Sequence, residues 1–202
     1  MNIGIDIDGV LCSEMLFQLV YGTKFCCDNK LNFSELSPYK PETKDIFNWP
    51  ASKDFTFWKE YYLHYLTTSE FVYPDCSETI QSWYKSGHKI FIISQRNQTV
   101  LDKLKISADI ALITANWLKE QSIPYHYLIL TEESKESIIK KQKISIMIDD
   151  NPQLLLSVQK YANVICFRSL YNLHCSLHDI PVVSSWKELN RKVEILRVLS
   201  EK

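Results

Sequence analysis

Hydrophobic and polar positions follow one another in short runs along the chain, and each run predicts a strand or a helix. The first run, residues 1–11, carries isoleucine at every second position around Gly4 and Asp6, and Asp8 breaks it. β-branched residues bounded by a turn signal predict a strand. Gly4 allows close packing, so we expect this strand to be central and buried on both faces. Asp6 and Asp8 then lie where the strand ends.

Four further apolar runs predict strands, and segments of helical periodicity separate them. The predicted strands are 89–94, 127–130, 144–148 and 163–167, and the predicted helices are 75–86, 107–121, 132–141, 152–160 and 184–200. Residues 98–106 are ambiguous, and residues 168–181 predict a loop. Alternating strands and helices pack as a parallel sheet with right-handed crossovers. We therefore expect an α/β fold: a Rossmann-like, doubly wound parallel sheet of about five strands.

The segment between the first two predicted strands is richer in aromatic residues than the rest of the chain. Of the 25 aromatic residues in the chain, 13 fall between Phe17 and Tyr65. Helical periodicity begins near Met15 and again near Asp54, with a polar stretch between. We predict a small helical module at 13–73, inserted into a core domain formed by 1–12 and 74–202. Aromatic stripes at helical spacing usually face a core, so most of these rings are expected to pack internally.

Composition narrows the possible partners. Among 202 residues, the formal net charge is -1 and the sequence pI is about 6.5. This balance gives no general attraction to nucleic acid polymers or to membranes, and no basic stripe suits nucleic-acid end processing. No apolar run reaches the length of a membrane span, and no signal peptide is apparent. We expect a cytoplasmic protein, with its six cysteines as reduced thiols.

Carboxylate, hydroxyl and amine side chains follow the predicted strands, at the edge where ligands bind in open α/β sheets. They are Asp6, Asp8, Ser94, Lys135, Asp149 and Asp150. Four carboxylates cannot share a small site while ionised without a cation, and oxygen ligands favour Mg²⁺. A lysine and a hydroxyl beside that cation suit a phosphate group. The backbone amides of the turn after Asp8, at Gly9 and Val10, could help to hold the phosphate group.

Four of these residues, and Arg96 beside them, also have an ordinary structural explanation. Lys135 could be a solvated helix lysine, and Ser94 could cap a strand end. Asp149 and Asp150 could cap the helix that Pro152 begins. Arg96 could support a phosphate or pair with a surface acid.

Taken together, the motifs resemble the haloacid dehalogenase superfamily over nearly the whole chain. The matching pieces are D-I-D-G-V at 6–10, Ser94 after an apolar strand, Lys135, and I-D-D at 148–150. A closer similarity is to the 5′(3′)-deoxyribonucleotidase branch and its bacterial members. It is carried by I-G-I-D-I-D-G-V-L-C at 3–12, S-Q-R at 94–96, T-A-N-W-L-K at 114–119, I-P-Y at 123–125, D-D-N-P at 149–152 and V-S-S-W-K-E-L at 183–189. Ser94 stands where threonine is frequent. His126 stands where aspartate is frequent, so no role is assigned to it.

The resemblance implies a Mg²⁺-dependent phosphomonoester hydrolase, with Asp6 as the nucleophile that forms an aspartyl-phosphate. It implies that Asp8 is the general acid and base, with a pKa that a neighbouring carboxylate could raise. The implied metal ligands are Asp6, the Asp8 carbonyl, Asp149 and Asp150, the last directly or through water. The implied substrate-binding residues are Gly9, Val10, Ser94, Gln95, Arg96 and Lys135. The module at 13–73 becomes a cap, with Phe17, Phe57 and Trp58 as candidates to stack on a nucleobase.

Two alternatives stay open at this point. The substrate could be a sugar phosphate or another small phosphomonoester instead of a nucleoside monophosphate. The protein could also be a phosphoacceptor or binding module without turnover. The expected partner is a small phosphorylated metabolite, and an exposed apolar face of the cap could support a homodimer.

Overall fold

A computed structural model describes residues 1–33, 36–177 and 179–200, and within them the strands form one parallel, six-stranded sheet. In the order of the sheet, the strands are β3 (Tyr127–Leu130), β2 (Lys89–Ser94), β1 (Asn2–Ile5), β4 (Ile146–Asp149), β5 (Asn163–Phe167) and β6 (Val182–Val183). This order reverses between β1 and β4, which is where a doubly wound sheet opens a crevice for ligands. The predicted fold class is confirmed.

The first strand is central, as its sequence predicts. Gly4 lies between Phe91 of β2 and Met147 of β4. A Cβ at Gly4 would come within 2.8 Å of the Met147 Sδ atom, so only glycine allows this packing without adjustment. The strand is buried from Ile3 onward. Its carboxyl end therefore lies at the middle of the sheet edge.

Nine helices accompany the sheet in the described part of the chain. They are α1 (Glu14–Asp28), α2 (Thr43–Ile46), α3 (Ala51–Thr67), α4 (Cys76–Lys85), α5 (Gln98–Leu104), α6 (Ile110–Glu120), α7 (Lys135–Lys141), α8 (Pro152–Val158) and α9 (Trp186–Ser200). Helices α1 to α3 lie between β1 and α4 and pack against one another. We call residues 13–73, which carry them, the helical insert.

The helical insert leaves and rejoins the sheet at adjacent points. Ser13 N donates to Phe71 O at 2.8 Å, and Tyr73 N donates to Leu11 O at 2.9 Å. Farther out, α3 packs on α5 and α6. One hydrophobic cluster runs from the aromatic residues of the insert to the isoleucines of β1. The insert and the sheet therefore share a continuous core.

Several elements differ from the sequence-based expectation, each for a local reason. The sixth strand, β6, has two residues, too few for a periodic signal. The ambiguous segment 98–106 contains α5, which the Asn97 side chain caps by accepting from Val100 N at 3.2 Å. Helix α6 begins at Ile110 and not at residue 107, because Asp109 caps it. Helix α2 is one turn within a stretch that reads as polar.

No helix in residues 1–33, 36–177 or 179–200 is both long and apolar enough to cross a membrane.

Candidate active site

Asp6 is held at the carboxyl end of β1 by backbone hydrogen bonds. Its N–H donates to the carbonyl of Ile148 on the neighbouring strand at 3.0 Å. Its Oδ1 accepts from the N–H of Ile7 at 2.8 Å. The carboxylate is buried, with 7% of the residue exposed, and Oδ2 is left to face the sheet edge.

Two more carboxylates and one lysine meet Asp6 at this edge. Single carboxylate oxygens of Asp6, Asp149 and Asp150 lie within 4.8 Å of one another. Lys135, at the first turn of α7, places Nζ 2.7 Å from Asp6 Oδ2 and 2.8 Å from Asp149 Oδ2. Since β1 and β4 are neighbours, residues far apart in the sequence converge here. The lysine is not a solvated helix residue, because only 4% of it is exposed.

Burial dominates the electrostatics of this cluster. It raises the pKa of Asp6 to about 8; Lys135 opposes the rise, and the Asp149 carboxylate adds to it. Burial likewise raises the pKa of Asp150 well above its usual range, and Asp149 and Asp6 reinforce that rise. Burial alone would lower the pKa of Lys135, but Asp6 and Asp149 raise it, so the lysine stays a cation. The carboxylate oxygens of Asp6, Asp149 and Asp150 lie so close together that all three groups can be ionised only if a cation besides Lys135 is present.

Asp8 has a different set of partners on the other flank of the edge. The Arg96 guanidinium contacts its carboxylate through Nη2 at 2.7 Å and through Nε at 3.1 Å. Tyr65, on α3, donates its hydroxyl to Asp8 Oδ1. Arg96 also lies 5.4 Å from the ring of Tyr65 and 5.5 Å from that of Trp117, at cation–π distance. Arg96 therefore pairs with a site carboxylate and not with a surface acid.

This pairing corrects the expected ionisation of Asp8. Burial would raise the pKa of Asp8, but the charge and hydrogen bonds of Arg96, with the Tyr65 hydroxyl, outweigh burial and lower the pKa. The expectation that a neighbouring carboxylate raises this pKa is wrong, because the nearest strong charge is a cation. In this geometry Asp8 is ionised.

The turn after Asp8 does not offer the amides that the sequence suggested for phosphate binding. Gly9 N donates to Cys12 O at 2.8 Å, and Val10 N donates to Ile7 O at 3.2 Å. Both amides are thus used inside the turn. Gly9 has a φ of +85°, and a Cβ there would overlap the Asp150 carboxylate. Its contribution is to let the turn pass close beside Asp150.

Ser94 lies at the end of β2, as predicted, but behind the surface of the site. It is fully buried, and its Oγ accepts from Arg96 N at 3.2 Å. The hydroxyl therefore shapes the turn that presents Gln95 and Arg96. A direct contact between Ser94 and a phosphoryl group stays a prediction.

The loop after β5 supports the site, which the sequence did not indicate. Tyr171 donates its hydroxyl to Asp150 O at 2.9 Å, and Asn172 Nδ2 donates to the same oxygen at 2.8 Å. Asn151 N donates to Asp149 Oδ1 at 2.9 Å, and the Asn151 side chain caps α8. These bonds fix the side chain of Asp149 and the backbone of Asp150 in the D-D-N-P motif.

A cavity of about 440 Å³ lies above the cluster. Of the sequence-predicted residues, Asp6, Asp8, Gln95, Arg96, Lys135, Asp149 and Asp150 line it. The cavity is also lined by residues that the sequence did not single out: Glu14, Tyr62, Tyr65, Ser134, Asn151, Leu154 and Tyr171. Tyr62 and Tyr65, three positions apart on α3, were detectable as part of an aromatic stripe. The stripe does not reveal which ring faces the cavity.

The aromatic residues chosen as stacking candidates do not line this cavity. Phe17 and Phe57 have no exposed surface, so the expectation that they stack on a base is wrong in this arrangement. Phe17 packs on Tyr65 at a centroid distance of 4.8 Å, and Phe57 packs on Trp58 at 5.0 Å. Trp58 is partly exposed and lines a neighbouring cavity instead.

Comparison with known proteins identifies relatives of the whole chain. The family described as 5′ nucleotidase, deoxy (Pyrimidine), cytosolic type C protein matches residues 1–199. A protein of Bacillus cereus named "Putative nucleotidase" is 27% identical over 197 residues, covering 94% of this chain and 96% of that protein.

Solved structures show the same fold at low identity. A haloacid dehalogenase-like family hydrolase from Xanthomonas campestris has a TM-score of 0.60 at 12% identity, covering 100% of this chain and 97% of that chain. A "predicted phosphoglycolate phosphatase" from Haemophilus somnus 129pt also has a TM-score of 0.60, at 11% identity, covering 95% and 97%.

Replacing Lys135 tests the buried cluster directly. In the presence of a chelator, Lys135→Met should lower the free energy of unfolding by about 3–5 kcal/mol, because it leaves buried carboxylates without their cation. Urea denaturation measures the change. Lys141→Met, on an exposed lysine of the same helix, is the matched control and should change stability by less than about 0.5 kcal/mol. Equal stability of the two variants would contradict the ion pair.

Proposed function

The chain belongs to the family of cytosolic type C 5′-nucleotidases, and from this premise we propose that it hydrolyses (deoxy)nucleoside monophosphates with Mg²⁺ through an aspartyl-phosphate. Phosphatase or nucleotidase activity is the common property of the family and of the haloacid dehalogenase-like neighbours. The proposal on mechanism depends on one observation: Asp6, Asp149, Asp150 and Lys135 converge below a cavity of about 440 Å³.

The donor set fits a magnesium ion. Asp6, Asp149 and Asp150 offer one oxygen each within 4.8 Å, and the raised pKa values of Asp6 and Asp150 indicate carboxylates that need a nearby cation. Oxygen-only ligands are those that Mg²⁺ prefers. We propose these three carboxylates, with the Asp8 carbonyl, as its ligands. Bound there, the ion would neutralise charge on the carboxylates and on the phosphoryl oxygens.

Asp6 is the proposed nucleophile. The N–H of Ile7 holds Oδ1, so the carboxylate is fixed at the strand end, and Oδ2 faces Lys135. An Asp6 oxygen attacks phosphorus, the ester oxygen leaves with its bonding electrons and takes a proton from Asp8, and an aspartyl-phosphate forms. Water then attacks this phosphorus and gives a proton to Asp8, the bond between phosphorus and the Asp6 oxygen breaks, and inorganic phosphate and the Asp6 carboxylate are released. Lys135 stabilises charge on the phosphoryl oxygens through both steps.

Asp8 is the proposed acid and base, and Arg96 controls its charge. To protonate the leaving oxygen, Asp8 must first take up a proton, which its ion pair with Arg96 opposes. Within the described residues, Nη1 of Arg96 is buried without a hydrogen-bond partner. A phosphoryl dianion in the cavity offers that guanidinium a second anion. Binding of the phosphoryl group would weaken the ion pair between Arg96 and Asp8, and the pKa of Asp8 would rise as a result.

We propose that the helical insert is a cap over a core domain formed by residues 1–12 and 74–202. Tyr62 and Tyr65 of α3 line the cavity, and Tyr65 also touches Asp8. A cap in this position excludes water and contacts the leaving group. A homodimer through exposed apolar residues of α1 and α3, such as Val20 and Leu63, stays a prediction.

Asp6→Asn should reduce turnover by about 10³-fold or more, because the amide is a poor nucleophile. Circular dichroism should show an unchanged fold. Asp75→Asn, at an exposed position, is the control and should retain full activity. More than a trace of phosphatase activity in Asp6→Asn would refute Asp6 as the nucleophile.

Chelation tests the metal. EDTA should remove activity, and added Mg²⁺ should restore it, because the buried carboxylates cannot receive a phosphoryl dianion without a cation. Mg²⁺ should also raise the melting temperature of the apoprotein, since a ligand that binds only the folded state stabilises it. Full activity in excess EDTA would exclude the metal assignment.

A substrate panel separates the proposal from its alternatives. Nucleoside monophosphates should be cleaved with a higher kcat/KM than sugar phosphates of similar size. The opposite order would indicate a sugar phosphatase with the same catalytic residues. A stable phospho-adduct on Asp6 without phosphate release would instead indicate a phosphoacceptor.

A further inference from the structure

The peptide unit between Asp150 and Asn151, which we call the linking peptide, is hydrogen-bonded on both sides. Its carbonyl, Asp150 O, accepts from the Tyr171 hydroxyl at 2.9 Å and from Asn172 Nδ2 at 2.8 Å. Its N–H, on Asn151, donates to Asp149 Oδ1 at 2.9 Å. Two side chains of the loop after β5 are thus connected, through one peptide, to the carboxylate of a proposed metal ligand.

The orientation of the linking peptide decides which of its groups Asp149 meets. The peptide is trans, so its carbonyl and its N–H point in opposite directions. While Tyr171 and Asn172 hold the carbonyl, the N–H is turned toward Asp149. A rotated peptide would turn its carbonyl oxygen toward the Asp149 carboxylate, and two acceptors would face each other without a proton. The two donors therefore stabilise the orientation from which Asp149 can accept a hydrogen bond.

This hydrogen bond in turn fixes how Asp149 presents its oxygens. Oδ1 accepts from Asn151 N, and Oδ2 lies 2.8 Å from Lys135 Nζ. Asp149 has no exposed surface, so bulk water does not replace either partner. One carboxylate oxygen of Asp149 also lies within 4.8 Å of oxygens of Asp6 and Asp150, where we propose that the magnesium ion binds. The same orientation therefore serves the lysine and the ion.

The Asn172 side chain is held in the orientation that donates to the linking peptide. Asn172 is fully buried. Its Nδ2 also donates to Phe167 O at 2.9 Å, and its Oδ1 accepts from Ser169 N at 3.0 Å. Exchanging the amide nitrogen and oxygen would place Oδ1 against two carbonyl oxygens and the amide N–H₂ against the N–H of Ser169. The rest of the loop thus enforces the contact with Asp150 O.

Tyr171 supplies the second donor from the wall of the catalytic cavity. Its side chain lines the cavity, and its hydroxyl donates the one proton that it carries to Asp150 O. A phenylalanine at this position would keep the ring and remove only the donor. The contribution of the hydrogen bond can therefore be separated from that of the cavity wall.

We propose that Tyr171 and Asn172 hold the linking peptide so that it fixes the Asp149 carboxylate, and that they thereby set the affinity of this site for Mg²⁺. The inference rests on the proposed Mg²⁺-dependent function. Both residues are positioning residues, since they act on the ion through the peptide and through Asp149. Removing a group that orients a metal ligand typically weakens metal binding by about 10- to 100-fold.

Tyr171→Phe tests the inference with the smallest change. Isothermal titration calorimetry with MgCl₂, without substrate, should show a Kd for Mg²⁺ that is about tenfold higher than in the wild type. Tyr84→Phe, at an exposed tyrosine of α4 outside the catalytic cavity, is the matched control and should leave this Kd unchanged. Asn172→Ala removes the other donor and should weaken Mg²⁺ binding at least as much.

Kinetics should show the same effect in a second way. With p-nitrophenyl phosphate as substrate, the Mg²⁺ concentration that gives half-maximal activity should rise in Tyr171→Phe by the same factor as the Kd. The kcat at saturating Mg²⁺ should stay close to that of the wild type, because the carboxylates that hold the ion are all present. A loss of kcat that added Mg²⁺ does not restore would contradict the inference.

The possible results also separate this inference from the function on which it rests. If the wild type binds no Mg²⁺, the proposed metal site fails, and the inference fails with it. If the wild type binds Mg²⁺ and Tyr171→Phe binds it equally well, only the inference is wrong, and any loss of stability of the variant in urea then reflects a purely structural role. Tyr171→Phe decides alone if Asn172→Ala does not fold. A raised Kd in Tyr171→Phe, with the Kd of Tyr84→Phe unchanged, supports the inference.

Discussion

The contact of Lys135 with two buried aspartates is the interaction on which the arrangement of this edge depends. The strand order brings β1 beside β4, and that adjacency places Asp6 next to Asp149 with both carboxylates out of water. Two such charges repel unless a cation lies between them, and α7 begins with that cation. Residues around Asp150 allow this close packing of carboxylates. Gly9 allows the turn to pass Asp150, and Tyr171 and Asn172 hold the Asp150 backbone.

Asp8, the second aspartate of the D-x-D motif, is paired with a different cation, Arg96, which approaches from the opposite side of the sheet edge. Arg96 follows β2, whereas Lys135 precedes β4, so Asp6 and Asp8 lie two positions apart but receive different partners. Both cations lower the pKa of their aspartate, but burial outweighs Lys135 and raises the pKa of Asp6, whereas Arg96 and Tyr65 outweigh burial and lower the pKa of Asp8. Tyr65 joins the helical insert to this second pair through its hydroxyl and its ring. The charge of Asp8 is therefore sensitive to the position of α3, whereas the Asp6 cluster depends on the sheet and on α7.

The sequence was most informative where chemistry and strand ends coincide. A parallel sheet fixes which side chains share an edge, so Asp6, Asp149, Asp150 and Lys135 could be grouped without coordinates. The direction of side chains on a helix packed from several sides could not be predicted in this way. Phe17 and Tyr65 share the same aromatic cluster, yet only Tyr65 lines the cavity. The use of the Gly9 and Val10 amides also depends on turn geometry that residue types do not encode.

The helical insert is joined to the sheet through a narrow junction of two short backbone segments. The insert is attached through residues 11–13 on one side and residues 71–73 on the other, and backbone hydrogen bonds join these two segments. The junction behaves as a closed stem, and lengthening the chain beyond such a stem adds little closure entropy, about 0.6 kcal/mol for each doubling. An insert of another length can therefore be grafted onto the same stem while Asp6, Asp149 and Lys135 beneath it keep their geometry. Asp8 would keep its environment only in inserts that also supply a hydroxyl where Tyr65 stands.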